Sequence, residues 1–170
     1  MSQSTGSGYT RKPPLANDLS PGDRAPAFRL QTDGGVEIST ASLKGKPFVV
    51  YFYPRDDTSG CTKEAISFSG EKKKFESLGI TIIGISKDSV ESHNKFRKKH
   101  KLEIILAADP ELEAANAYGV WVEKSMYGRR YMGMDRATFL VDDKGKIRQI
   151  WRKVKVPGHV AAVLDAAGKL

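Results

Sequence analysis

The chain has one cysteine, Cys61, in 170 residues. No disulfide can form within it, which argues against a cysteine-stapled secreted scaffold. Long apolar runs are also missing. The longest, Pro47 to Tyr53, is far short of the roughly 20 residues that cross a bilayer. The composition has neither the glycine period of collagen nor the apolar poverty of a wholly disordered chain, since 39% of residues are hydrophobic. A chain of this length buries enough surface to fold without a metal or crosslink. The lone thiol therefore needs another explanation.

Acidic residues are outnumbered, 20 against 28 Lys and Arg, for a formal charge of +8. Most of the excess lies between Lys72 and Lys101, in the clusters Lys72-Lys73-Lys74 and Arg97-Lys98-Lys99-His100-Lys101. Such clusters can attract nucleic acid or other polyanions. No aromatic side chains interleave with them for base stacking, so they are expected to solvate the outer faces of two helices. Residues 1–20 are rich in Ser, Thr, Gly, Pro and Asn without hydrophobic periodicity, and are expected to form a flexible arm. They lack the apolar core of a secretory signal, and the glycines and prolines break any amphipathic targeting helix, so a cytoplasmic location is expected.

Residues 21–170 read as one mixed α/β domain. Phe28–Leu30 and Val36–Ile38 flank Asp33-Gly34-Gly35, an N-terminal β-hairpin. Phe48 to Tyr53, continuously apolar and rich in β-branched and aromatic residues, has the pattern of a central strand covered on both faces. A helix is expected from near Cys61 to Leu78, a strand over Thr81–Ile85, a helix over Val90–His100 and a strand around Ile104–Ala107. Asp109-Pro110 reads as the start of a further helix through Tyr118, with proline at its first position. Thr138–Val141 and Ile147–Trp151 form a second hairpin, and Pro157–Ala167 a closing helix. The result is a mixed central sheet flanked by helices; the terminal hairpin favours a thioredoxin-like over a flavodoxin-like order.

Pro54-Arg55-Asp56-Asp57-Thr58-Ser59-Gly60-Cys61 lies between the central strand and a helix, where open α/β sheets form their sites. Asp57, Thr58 and Ser59 are candidate helix caps. Cys61 then falls in the first turn, where unpaired N–H groups and the positive end of the helix favour a thiolate. Ala65, Phe68 and Phe75 share its helical face, so Cys61 is expected to be half-buried. On residue types alone, a reactive thiol and a small core residue both remain open.

The stretch Tyr51 to Thr62 resembles the active-site segment of peroxiredoxins, with Pro54, Thr58 and Cys61 matching the family's signature spacing. Within the family it is most like the bacterioferritin comigratory protein (peroxiredoxin Q) subfamily. Further matches are Asp23 to Phe28, Gly84-Ile85-Ser86, Tyr118 to Ser125, and Arg136 just before a strand, so the likeness spans roughly residues 20–165. The resemblance implies a thioredoxin fold and a thiol-dependent peroxidase that reduces hydrogen peroxide and organic hydroperoxides. Cys61 would be the peroxidatic thiolate, oxidised to a sulfenic acid. Thr58 would orient thiolate and peroxide, Arg136 would stabilise developing charge, and Pro54 would shape the loop and exclude water. No cofactor or metal is implied.

Two positions depart from the subfamily pattern. Ser59 replaces the usual proline, and Ile66 stands where many members carry a resolving cysteine. A one-cysteine mechanism with an external thiol reductant follows: a thioredoxin-like or glutaredoxin-like protein, or a small thiol. Subfamily habit implies a monomer, with at most a weak dimer. Without the resemblance, Arg136 would read as a surface partner of Asp135. His93 and His100, seven apart on one helix, read as solvated rather than metal-binding. Gly119, Gly128 and Gly133 form no phosphate-binding pattern. Met126, Met132 and Met134 are expected to wall a pocket or contact from a loop leading to Arg136. The competing function is a non-catalytic basic protein binding nucleic acid or another polyanion. A disulfide oxidoreductase is disfavoured because no Cys-x-x-Cys is present.

Overall fold

The computed structural model describes residues 19–170; the expected N-terminal arm lies outside the described residues, apart from its last two positions. The strands β1 (Arg29–Thr32), β2 (Glu37–Ser39), β3 (Phe48–Phe52), β4 (Thr81–Ser86) and β5 (Ile105–Ala108) are joined by β8 (Ala137–Val141) and β9 (Ile147–Trp151) in one sheet. Its order is β2-β1-β5-β4-β3-β8-β9. β3, β4 and β5 run parallel; β1 is antiparallel to β5, β8 to β3 and β9 to β8. Strand β3 occupies the interior of the sheet and all five of its residues are buried.

Alternation along β3 divides the core in two. Phe48, Val50 and Phe52 join one cluster with Leu30, Tyr118 and Phe139. Val49, Tyr51 and Tyr53 join the other with Cys61, Ala65, Phe68, Phe75 and Phe96. The expected face of Cys61, Ala65, Phe68 and Phe75 is thus the one that packs on the sheet. The helices are α1 (Ser59–Gly70), α2 (Lys72–Ser77), α3 (Val90–His100), α4 (Glu113–Ala117) and α5 (His159–Ala167).

Three expectations change. The helix expected to run unbroken to Leu78 is interrupted between α1 and α2: Gly70 favours termination, and Glu71 leaves helical geometry at φ −101° and ψ 5°. The helix expected to start at Pro110 starts at Glu113. The buried Asp109 carboxylate accepts the backbone N–H groups of Ala114 (3.3 Å) and Ala115 (2.8 Å), capping α4 from upstream. The methionine-bearing segment expected as a loop is a separate hairpin of β6 (Trp121–Met126) and β7 (Arg129–Met134). Tyr127 and Gly128 both take positive φ, 53° and 77°, as a two-residue turn matched to strand twist requires. Met126 and Met132 are exposed on this hairpin, whereas Met134 is buried.

One close approach holds α1 on the sheet. The Tyr51 ring stacks on Phe68, centroids 4.5 Å apart. A Cβ added at Gly84 of the neighbouring β4 would lie 2.8 Å from the Tyr51 hydroxyl, itself buried without a hydrogen-bond partner. Gly84→Ala is expected to lower stability by about 1–3 kcal/mol, as overpacking does. Adding Tyr51→Phe, which removes the unsatisfied hydroxyl and one of the close atoms but keeps the ring carbons at 2.8 and 3.0 Å, is expected to restore only a small part of that loss. Urea denaturation of the two single variants and the double variant checks the coupling.

Candidate active site

The chain leaves β3 through Tyr53 and Pro54, turns over residues 55–58 and enters α1 at Ser59. Thr58 is the N-cap residue in extended geometry, φ −92° and ψ 158°, but makes no side-chain cap. Its hydroxyl donates to the Arg55 carbonyl oxygen at 2.9 Å. The N-terminal N–H groups of α1 have no side-chain cap, and Cys61 sits among them in the first turn.

Cys61 is more deeply placed than half-buried, at 1% exposure. Arg136, delivered from the link between β7 and β8, reaches it from the sheet side. Arg136 Nη2 donates to Cys61 Sγ at 3.3 Å, and Nη1 donates to Glu64 Oε1 at 2.7 Å. Gly60 makes room for this, because a Cβ there would lie 3.1 Å from Nη2. The surface pairing of Arg136 with Asp135 is thereby replaced by an internal one.

Glu64 was not among the residues the sequence singled out. It follows Cys61 by three positions, on the same helical face, and is fully buried. Burial pushes its carboxyl up to about 7, with Arg136 pulling the other way. Its Oε2 has no hydrogen-bond partner. Burial also penalises the Arg136 cation, but Glu64 and Cys61 outweigh this and hold its pKa above the ordinary value. One guanidinium thus joins a buried thiol to a buried carboxyl. The near signal in the sequence was a charged residue inside an otherwise apolar helical stripe.

A second missed residue is His159 at the start of α5. Its Nε2 lies 2.7 Å from Thr138 Oγ1, one residue beyond Ala137 on the strand that follows Arg136. Burial, and then the Arg136 charge, lower its pKa to about 4, so this ring is a neutral wall at neutral pH.

The loop before Cys61 is tied to α3. Asp57 adopts φ 60° and its carboxylate meets Lys99 Nζ at 2.7 Å and His100 Nε2 at 2.8 Å. Those hydrogen bonds hold its pKa below the usual carboxylate value. Arg97 binds the buried Asp33 carboxylate and the carbonyl oxygens of Leu102 and Ile104. The basic run at residues 97–101 is therefore not simply a solvated face, since its ordered members brace the loop and the β1 turn. Nor is His93 solvated: it is fully buried, because α3 turns His93 and Phe96 together towards the sheet. Among the described residues no group of three His, Cys, Asp or Glu side chains is placed to hold a metal ion. No helix among them is long and apolar enough to cross a membrane. Ile66, in the resolving position, faces outward at 48% exposure while Cys61 faces the core.

The family model for AhpC/TSA matches residues 21–150. A putative peroxiredoxin bcp of Coxiella burnetii is 46% identical over 143 residues, covering 84% of this chain and 95% of the relative. Peroxiredoxin Bcp of Bacillus subtilis is 46% identical over 144 residues, covering 85% and 92%. Among solved structures, Xanthomonas campestris peroxiredoxin Q superposes with a TM-score of 0.81 at 39% identity, covering 84% of this chain and 90% of that one. A second structure from that organism, at TM-score 0.80 and 39% identity over the same shares, is described as giving insight into the alkyl peroxide reduction activity of its bacterioferritin comigratory protein. With one cysteine and a thioredoxin-like sheet, the chain belongs to the AhpC/TSA family as a peroxiredoxin of the Bcp (peroxiredoxin Q) type, a thiol-dependent peroxidase without a resolving cysteine.

Proposed function

We propose that Cys61 is the peroxidatic residue of a one-cysteine cycle, with Arg136, Thr58, Pro54 and Glu64 as its machinery. The observation that carries this is the Arg136 guanidinium 3.3 Å from Cys61 Sγ at the start of α1. The Cys61 thiolate attacks the nearer peroxide oxygen, the O–O bond breaks, and the departing oxygen takes a proton to leave as water or an alcohol. Arg136 and the helix N–H groups face the position where negative charge moves off sulfur. The Thr58 hydroxyl, donating to Arg55, keeps lone pairs that can accept the hydroperoxide O–H. Pro54, half-buried at the strand exit, offers no N–H to water and shapes the mouth of the site. Glu64 fixes the guanidinium plane.

Hydrogen peroxide and alkyl hydroperoxides are the proposed substrates, the latter in keeping with the activity described for the Xanthomonas relative. A chain with one buried thiol and no disulfide suits a reducing compartment, and we place it in the cytoplasm. Its working form is proposed to be the monomer.

Purified protein is expected to consume peroxide with dithiothreitol as donor, and Cys61→Ser to abolish turnover. Arg136→Ala is expected to slow Cys61 oxidation about 100-fold, the scale of losing one preorganised charge-stabilising donor. Equal rates for Arg136→Ala and the unmodified protein in stopped flow would contradict the assignment.

Glu64 makes a pH prediction. Its folded pKa, about 7, lies above its ordinary 4.5, so the folded state holds a proton the unfolded chain has lost between these values. Its contribution is present in full below pH 4.5 and is lost as pH rises through 7, a change of about 3 kcal/mol. The stability difference between the unmodified protein and Glu64→Gln should therefore drift across that window and level off above it. Urea midpoints at stepped pH measure this; a pH-independent difference counts against it.

Recycling requires an outside thiol. That thiol attacks the sulfenic sulfur, water leaves, and a mixed disulfide forms; a second thiol then releases Cys61 and the oxidised reductant. After one equivalent of peroxide with glutathione present, mass spectrometry should find the mixed disulfide at Cys61, and the chain should stay monomeric. Positions 61 and 66 lie about 140° apart around α1, so Ile66→Cys should form no disulfide while α1 stays wound. Full protection from overoxidation without any added thiol would refute this scheme.

A further inference from the structure

The His93 ring lies between two acceptors. Its Nε2 is 3.0 Å from the Ala107 carbonyl oxygen on β5, and a carbonyl only accepts, so Nε2 carries a proton. Its Nδ1 is 2.6 Å from Asp56 Oδ2, in the loop that leads to Cys61. The remaining polar atom near Nδ1 is the Tyr53 hydroxyl oxygen at 3.4 Å, and that hydroxyl donates to Asp56 Oδ1 at 2.6 Å. Burial, with Tyr51 and Asp56 adding to it, holds the Tyr53 phenol well above its ordinary pKa, so Tyr53 remains a donor. Ser92 Oγ donates to Asp56 Oδ2 at 2.8 Å. With a phenol and a serine already donating, Asp56 is fixed as the accepting carboxylate, and the proton of the short contact belongs on Nδ1.

We propose that His93 is a buried imidazolium, and that its pairing with Asp56 makes it a positioning residue for peroxide reduction at Cys61. The second half of this rests on the peroxidase assignment above; the first half does not. Asp56 receives His93, Tyr53 and Ser92 through its side chain, while its backbone N–H donates to Asp88 Oδ2 at 2.8 Å. Ser86 Oγ, at the end of β4, donates to the same Asp88 oxygen at 2.7 Å. The first acidic residue of the loop is thus held by Tyr53 just after β3, by α3 directly, and by β4 and β5 through Asp88 and His93, two positions before Thr58. The charged and titratable groups facing His93 are Asp56, Tyr53 and, through the Asp56 backbone, Asp88; α3 adds only Ser92 and the Phe96 ring, and β5 only its carbonyl. Lys99 and His100 are turned to Asp57. An imidazolium donates from two separate nitrogens, one to each acceptor, whereas a glutamine amide carries both of its N–H groups on a single nitrogen.

The test uses the native chain and two variants. In long-range nitrogen–proton NMR spectra of the labelled protein at pH 7, assigned by the signal lost in His93→Gln, both His93 ring nitrogens should carry a proton. A non-protonated ring nitrogen at pH 7 overturns the proposal. If the glutamine variant fails to fold, His93 is assigned in the native chain by through-space contacts to the Tyr53 ring. In the folded variants His93→Gln and Asp56→Asn, the rate constant for Cys61 oxidation by hydrogen peroxide should fall on the order of tenfold or more, the scale expected when a reacting group is displaced by a fraction of an ångström to an ångström. Alkylation of Cys61 by iodoacetamide should not fall with it, because a loosened loop admits the reagent. The double variant should lose no more than the worse single one. Unchanged oxidation rates in the folded variants, or a parallel fall of both reactions, overturns the positioning role. A native protein inert to peroxide would instead refute the peroxidase assignment, leaving the NMR result to stand by itself.

Discussion

The Arg136 guanidinium between Cys61 and Glu64 is the constraint on which the site depends. Taking one charged or polar group out of water is costly unless its partners come with it. Here a carboxyl at 0% exposure and a thiol at 1% share one half-buried cation, and all three are tolerated because each answers another. The arrangement also explains the backbone around it. Gly60, without a side chain, lets Nη2 come near, and Arg136 sits in the short link between β7 and β8.

The same logic extends outward from the thiol. Strand β3 is buried on both faces, so the first polar atoms the chain can offer after it are those of the loop at residues 54–58. That loop is fastened on its far side by α3, whose basic last turn holds Asp57 and whose buried histidine holds Asp56. Positive charge that looks like an advertisement to polyanions in composition is partly spent on the protein's own acidic loop. The start of α1 and the loop before it are thus held by two polar hubs, Arg136 with Glu64 on the sheet side and Asp56 with Asp57 on the side of α3.

Ile66 sets this chain apart from relatives that carry their own resolving thiol. Its side chain points to solvent from the helix that buries Cys61. In this chain α1 is docked on the sheet through Ala65, Phe68 and the Tyr51 ring.

Much of this was legible in the amino-acid order. The run from Phe48 to Phe52 declares a doubly covered strand, α3 falls on Val90–His100 as its periodicity requires, and the spacing of Pro54, Thr58 and Cys61 marks the loop. These are local properties: a strand's alternation, a helix's period and a motif's spacing are written within a dozen residues. What lies across a contact is not. Glu64 and His93 carry charge or polarity that sequence reading assigns to a surface, and only the sheet, with Arg136 on one side and Asp56 on the other, supplies the partners that let them be buried. The Thr58 hydroxyl turned onto Arg55, the cap that Asp109 lends to α4 and the Tyr127-Gly128 turn are likewise decided by three-dimensional neighbours. Burial is settled by what packs opposite a residue, and that is the part of the structure a linear chain does not state.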